Sequence, residues 1–540
     1  MSLPRNSMQG SLFAVGMMAP DFFPADDRYR VFREKIMSAL YAQRNKLCRL
    51  YCEENGRPAI EPVVLSAVTL LQFMERVPDS KAAEYVRLHL GWKYALDLEF
   101  DYRGFHPTSL VKFRNRLLEG ESERWVFDSL LDSLRDAGLV RKKSRQRLDS
   151  THILGCVSKM SRLEMLRETL RLFLEEVDRC GYSGRLSEWP VLRERYIDSE
   201  VPWHRLTREE LITKGQQAGY DALCLIKWLR TQKGEVRDTE KALLLERVFL
   251  EQYELGDGGF EWRQKEESGT VKNPHDPDVQ WATKDLAKTK QWEGYKVQIA
   301  ETVCDDGKAK EKGQPTEQFI TEVITTKAIA SDIDGLGRVL ESQSENQNDE
   351  PSEMYVDAGY ITDDTLADGK EGGYQLIGPA RPPGNAGGSE FSSECFDVDV
   401  ANRKAVCPAG HVSCQCSLIH ERKRQPYYRF EWAGQCDDCE LKKRCTSSKN
   451  GRRLLMVGLH HDLLQARRRE MKTEEFKKMM HLRNAIEGTV SEFVRGGGRR
   501  TRYKGLAKTR LANYFHGAAV NSKRWIRLNR YQIDQHGKAA

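Results

Sequence analysis

The segment Arg147-Leu148-Asp149-Ser150-Thr151-His152-Ile153-Leu154 decides the reading of the fold. Apolar and polar residues alternate along it, the period of a strand with one face in a core, and the alternation sets Asp149, Thr151 and Ile153 on one side. An acid so placed can lie at the working edge of a sheet. A second strand pattern, Met354-Tyr355-Val356, runs straight into Asp357, and a third acid, Glu487, follows Arg483-Asn484-Ala485-Ile486 in a helical pattern. Three acids carried by two strand ends and a helix are what a metal-dependent phosphoryl-transfer site requires.

Outward from that strand, Gly294-Tyr295-Lys296-Val297-Gln298-Ile299-Ala300, the run from Phe319 to Ile324, and Tyr374-Gln375-Leu376-Ile377 supply further strands. Leu163, Leu166, Leu170, Leu172 and Phe173 open a helical stretch that Leu243, Leu244, Leu245 and Val248 close, so residues from about 156 to 262 read as a helical insertion outside the sheet. Before the first strand, residues 26–119 read as helices. Pro58 and Pro62 punctuate the start of V-V-L-S-A-V-T-L-L-Q-F-M, and His106-Pro107-Thr108-Ser109 forms a helix entry with Ser or Thr as cap. A chain of 540 residues exceeds one ordinary core. The fold class expected is α/β, mixed α+β overall. A helical N-terminal domain (1–140) precedes the first part of a catalytic core (141–394). A Cys-rich insertion (395–453), entered through the linker R-P-P-G-N-A-G-G, separates that part from the Glu487 helix and a basic C-terminal part (454–540).

Net charge is only +6 against 86 Lys+Arg and 80 Asp+Glu, so the distribution of charge carries the electrostatic argument. Between Glu492 and Asp534 there is no acid, while Arg495, Arg499, Arg500, Arg502, Lys504, Lys508, Arg510, Lys523, Arg524, Arg527 and Arg530 accumulate. Arg141, Lys142, Lys143, Arg145 and Arg147 crowd the approach to Asp149, and Arg422, Lys423 and Arg424 form another block. A polyanion partner is expected, and Arg114 and Arg116 are further candidates for phosphate or for an ordinary solvated face. No apolar run reaches membrane-spanning length, and no leader pattern opens the chain, so a cytoplasmic protein is expected. No G-x-x-x-x-G-K-[ST] loop occurs, which excludes that route to nucleotide-driven chemistry.

In the carboxylate reading Asp149 bridges two ions, and Asp357 and Glu487 complete their coordination. Arg483, one turn before Glu487, shares its helix face and can orient the carboxylate or hold a phosphate. Glu492, five positions on, points elsewhere. His275-Asp276-Pro277-Asp278 could bind a metal, but Pro277 argues for a tight turn ahead of a strand. Of the 13 cysteines, seven fall between Cys395 and Cys445. The spacing Cys436-x-x-Cys439, then Cys445, with Cys407-Pro-Ala-Gly-His411 upstream, is that of a zinc ribbon whose ligands are Cys407, Cys436, Cys439 and Cys445, with Cys414, Cys416, His411 and His420 as substitutes.

Taken together these segments resemble the transposases of bacterial insertion sequences that carry an Asp-Asp-Glu triad on a ribonuclease H-like core. The resemblance covers nearly the whole chain. G-R-P-A-I-E-P-V-V-L through H-P-T-S-L-V-K-F-R-N-R-L looks like the group's helical N-terminal domain. D-S-T, H-D-P-D-V-Q-W, W-E-G-Y-K-V-Q-I-A-E-T and Y-V-D-A-G-Y follow in the group's order, and R-N-A-I-E-G-T-V with G-G-G-R-R-T-R-Y-K-G-L-A-K-T-R resembles its third-acid helix and basic extension. A related signature has Tyr three residues before the Arg and Lys seven after the Glu; here those places hold Met480 and Val494, with Arg495 next door.

The resemblance implies Asp149, Asp357 and Glu487 as the triad and Mg²⁺, or Mn²⁺, as the metal. It also implies DNA contacts from Arg483, Arg495, Arg499, Arg500, Arg502 and Lys504, and recognition of the element's ends by the N-terminal helices. The expected activity is cleavage at terminal inverted repeats and strand transfer into target DNA by a homodimer or larger assembly, associated with the nucleoid when bound. Two other classes compete: a catalytically silent regulator derived from such an enzyme, and a metal nuclease that cuts without joining.

Overall fold

The computed structural model describes residues 2–3, 12–52, 56–157, 160–201, 206–232, 234–256, 259–264, 269–284, 289–304, 314–315, 317–346, 350–383, 389–422, 425–448 and 450–539. Residues 384–388 of the expected linker, and Lys423 and Arg424 of the second basic block, lie outside them.

The expected strand at Asp149 is β1 (Arg145–Leu154), and the sheet it anchors contains β2 (Gln280–Thr283), β3 (Gln291–Thr302), β4 (Ile320–Lys327), β5 (Glu353–Tyr355) and β6 (Gln375–Ile377). β3 is antiparallel to β1, β2 and β4. β5 is parallel to β1, and β6 to β5. Parallel neighbours need crossovers. Helix α2 (Asp332–Glu345), started by a reciprocal cap between Ser331 and Asp334, links β4 to β5, and the helix Asp363–Glu371 links β5 to β6. Where β3 begins to pass β1, a Cβ on Gly294 would stand 1.9 Å from the Ile153 carbonyl oxygen, so only glycine fits. Further along, β3 bulges at Ala300/Glu301 against β4, and Glu301 is fully buried.

Both faces of the sheet are covered. Ile153, Tyr295, Val297, Ile299 and Val323 share a core with the N-terminal helices and with α5 (Leu506–Ala539). On the opposite face Leu148, Ala300 and Met354 pack with Leu336 and Val339 of α2. At 34 residues, α5 is roughly 50 Å long, enough to span β4, helix α1 (Pro62–Glu75) and the helix Trp125–Asp136. The N-terminal helices therefore share a hydrophobic core with the sheet.

The insertion has a core of its own, in which Leu166, Leu170 and Phe173 meet Ala222, Leu225, Leu245 and Val248. It is helical except at its end, where Tyr253–Gly256 and Gly259–Trp262 pair as a hairpin. The Cys-rich segment runs past its expected end at residue 453: Gln415–Ile419, Tyr427–Glu431 and Leu454–Gly458 form a three-stranded antiparallel meander over a small core of Phe396, Phe430, Trp432 and Leu455. Among the described residues no helix is long and apolar enough to cross a membrane.

Two local expectations change. The helix Thr108–Glu119 has no Ser or Thr cap; the His106 ring instead accepts from the Thr108 N–H at 3.3 Å. Arg114 is buried and holds Asp79 through both terminal nitrogens, so it has no free face for phosphate.

Candidate active site

β1 and β5 run parallel with Arg147 opposite Tyr355, and continuing that register by two residues sets Asp357 beside Asp149. Both acids line one open cleft of about 540 Å³, together with Ser150, His152, Lys296 and Asp332. Asp357 turns its carboxylate back to accept from the Gly359 N–H at 2.7 Å. A Cβ on Gly359 would stand 2.9 Å from both Asp357 Oδ1 and Asp332 Oδ2, so glycine lets the two carboxylates flank one small space.

Glu487 stands apart from that cleft lining. It sits in the first turn of helix α4 (Ile486–Phe493), which continues from α3 (Glu474–Asn484) through Ala485, and its side chain is 71% exposed. Arg483 joins the acids: it donates to Asp149 Oδ2 at 3.0 Å and lies 3.9 Å from Glu487 Oε1. Burial raises the Asp149 carboxyl above its ordinary range, and neighbouring Asp357 adds to this; Arg483 and the Ser150 N–H offset it in part. Among the described residues, no three His, Cys, Asp or Glu side chains are gathered closely enough to hold a metal ion.

Three cleft residues escaped the sequence reading. Lys296 pairs with Asp332 at 2.6 Å, and Ser150 donates to the same Asp332 oxygen at 3.0 Å. Burial would raise Asp332, but Lys296, Ser150 and Gln298 bring it below the usual range, so it is ionised at neutral pH. His152 lies with its ring centroid 5.3 Å from that of Trp292, and burial, then the charges of Arg499 and Lys284, lowers its pKa to about 4. Lys296 was visible only as a polar position in a strand pattern, a signal that surface lysines also give.

The helix carrying Glu487 is held to β1 by a buried polar network. Arg147 donates to Glu301 at 2.6 Å and to the Leu482 carbonyl, next to Arg483, at 2.7 Å. The other Glu301 oxygen accepts from Thr489 at 2.6 Å and Arg524 at 2.8 Å, and Arg524 also holds Glu492 at 3.0 Å. Glu492 thus faces α5, away from the acids, as its position implies. Met480, where the related signature has Tyr, packs beside Phe476, Tyr355 and Ile377 as core.

Among the other candidates, Arg499 donates to Thr151 and to the His152 carbonyl, tying the basic run to β1. Arg495, Arg500, Arg502 and Lys504 are exposed. His275-Asp276-Pro277-Asp278 is structural: His275 meets Glu168 at 2.7 Å, buried Asp276 accepts from Tyr295 at 2.8 Å, and Asp278 caps the Leu506 N–H at 2.9 Å. Cys407, Cys436, Cys439 and Cys445 line one small hollow with His411. Burial raises the Cys445 thiol; Arg453 opposes this, and the other three sulfurs add to it. Cys414 lies elsewhere, donating to the Glu431 carbonyl at 3.2 Å.

Comparison with known proteins locates two matches. Residues 18–116 match the family model described as Transposase domain (DUF772), and residues 406–526 match the one described as Transposase DDE domain. No curated protein and no solved structure matches the chain.

Proposed function

The chain belongs to the DDE transposases of insertion sequences, and from that premise we propose that it cuts DNA at its element's ends and joins the freed 3′ hydroxyl to target DNA, using Asp149, Asp357 and Glu487. The observation that supports this is that Asp149 on β1 and Asp357, two residues past the end of parallel β5, line one cleft, with Arg483 reaching both Asp149 and Glu487. The sheet order, with β3 and β4 antiparallel on one side of β1 and β5 and β6 parallel on the other, supports a ribonuclease H-like core.

The donor chemistry suits a hard divalent cation, which would have to draw Glu487 toward the two aspartates. Every donor is a carboxylate oxygen, Asp149 is a buried acid in need of counter-charge, and the Arg483 guanidinium stands where a cation between Asp149 and Glu487 would be wanted. Mg²⁺ or Mn²⁺ held there would supply an activated attacking oxygen and charge stabilisation at the leaving one. Arg483, released from Asp149, would then be free to meet a phosphate. Lys296 keeps Asp332 ionised and holds the cleft floor.

In the Cys-rich segment the spacing of Cys407, Cys436, Cys439 and Cys445, and their lining of one hollow, support a structural Zn²⁺ that would draw these four thiols together as its ligands. Elemental analysis should find one zinc per chain, lost in Cys436→Ser; a metal-free folded chain would refute this. Two DNA ends must be held together for the reaction, so a homodimer or larger assembly is part of the reading.

The test is cleavage and joining of DNA carrying the element's ends, in Mg²⁺, by the natural chain beside Asp149→Asn, Asp357→Asn and Glu487→Gln. Loss of at least ~10³-fold in each, with end-binding kept, is expected. Binding without chemistry in the natural chain would make it a regulator. Cutting without joining would make it a nuclease, and activity in all three variants would mean other carboxylates act.

A further inference from the structure

The acid-free C-terminal run reaches the N-terminal helices at one place. The last turn of α4 opens into a wide turn, Val494–Gly498, where Gly497 takes φ 111°. Thr501 then hydrogen-bonds back to the end of β1, its N–H donating to the Leu154 carbonyl at 3.0 Å. This sets Arg500 and Arg502 against the C-terminus of α1, where Arg76 adopts φ 60° as the helix cap. Between them lies a pocket of about 240 Å³ lined by Phe73, Arg76, Gly497, Arg500, Arg502 and His516.

The charge in this pocket is one-sided. Among the described residues no ion pair joins Arg76, Arg500 or Arg502 to a carboxylate, and the one contact made by their guanidinium groups is Arg502 over the Phe73 ring, 5.7 Å from its centroid. The acids nearby are committed. Asp79, whose charge Arg502 feels, is held by Arg114 and Gln72, and Glu75 accepts from Tyr29 at 3.0 Å and pairs with Arg28 at 3.4 Å. His516 adds no acid either. Burial, then the charges of Arg502, Lys523 and Arg76, lowers its pKa to about 3, so it is neutral at physiological pH. Gly497 leaves the floor open, since a Cβ there would stand 3.3 Å from the His516 ring. Three arginines lining one concave space that has no acid in its lining match the chemistry of a phosphate group.

We propose that Arg76, Arg500 and Arg502 form a phosphate-binding pocket at the seam between the two matched transposase segments, and that its ligand is a backbone phosphodiester of DNA. The pocket would clamp one strand to both modules at once. Leu154, which anchors it, lies five residues beyond Asp149 on the same strand, or about 17 Å at the rise of a β-strand. A phosphate bound there would lie about one DNA helical turn or less, roughly 34 Å, from the bond cut. This deepens the transposase reading, and its test needs no cleavage.

The test uses the full chain and a fluorescein-labelled duplex, with binding followed by anisotropy across a potassium chloride series. Each phosphate neutralised contributes about 0.9 to the slope of log affinity against log salt. The triple variant Arg76→Gln, Arg500→Gln, Arg502→Gln should bind at least tenfold more weakly at physiological salt, with a slope shallower by about one to two units. The triple variant Lys227→Gln, Arg338→Gln, Lys370→Gln, at three exposed cations outside the pocket, controls for net charge, and thermal melts confirm that each variant folds. A pocket variant whose slope matches that of this control overturns the pocket. A slope that falls as expected in a chain that cuts no DNA would sink the catalytic reading and leave the pocket standing; cutting with an unchanged slope would do the reverse.

Discussion

Arg524 and Arg500 come from the same acid-free stretch and end in opposite circumstances. Arg524 is buried and spends its donors on Glu301, Glu492 and Thr489. Arg500 is exposed beside two other arginines and, among the described residues, pairs with no carboxylate. In the first arrangement the buried guanidinium groups of Arg147 and Arg524 are balanced by Glu301 and Glu492, the latter also meeting exposed Arg527 at 3.1 Å, and it seats the Glu487 helix on β1. The second carries charge that only an outside anion can balance. One residue type thus serves the fold in one place and the ligand in the other, and the neighbouring carboxylates decide which.

The largest effect that would break this contrast is on stability. Glu301→Ala leaves Arg147 and Arg524 buried without their shared partner, and breaking a buried pair from one side costs about 3–5 kcal/mol. Arg500→Ala, at an exposed and unpaired position, should stay within about 0.5 kcal/mol. Urea unfolding of the two variants beside the natural chain measures both. A small loss for Glu301→Ala with a large one for Arg500→Ala would reverse the roles assigned to the two groups.

This contrast also marks how far the sequence alone could lead. Asp149 and Asp357 were legible because each stands in or ends a strand pattern, and the parallel register then brings them side by side. Glu487 was legible as a helical acid, with Arg483 on its face, but not its exposure, which depends on how α3 and α4 lie on the sheet. Glu301 looks in sequence like a polar position on a half-exposed strand. The bulge at Ala300/Glu301 and the docking of α5 over it make it the centre of a buried network. The hairpin at Tyr253–Trp262 hid in strands too short to show a period, and Arg76 gave no sign of its neighbours because they lie more than 400 residues further along the chain.

Asp149 is the intermediate case, a buried acid with one cationic partner and a second acid beside it, and it sharpens the comparison through pH. Burial first, and Asp357 after it, holds its carboxyl above the ordinary range despite Arg483. A group that binds its proton more tightly when folded contributes its full stability below the unfolded pKa, near pH 4, and loses that contribution as pH rises through the folded value. At neutral pH the ionised carboxylate is then a net cost to the fold, as expected of a site built to receive a cation. Asp149→Asn should therefore raise the urea midpoint at pH 7 and lose that advantage at about pH 4 and below, although cleavage is gone. Placed in an Arg483→Gln background, which removes the partly compensating charge, the same substitution should stabilise more. A midpoint that falls at pH 7 in Asp149→Asn would mean that Arg483 compensates Asp149 as fully as Arg147 and Arg524 compensate Glu301, and that Asp149, the acid proposed as catalytic, belongs with the structural network.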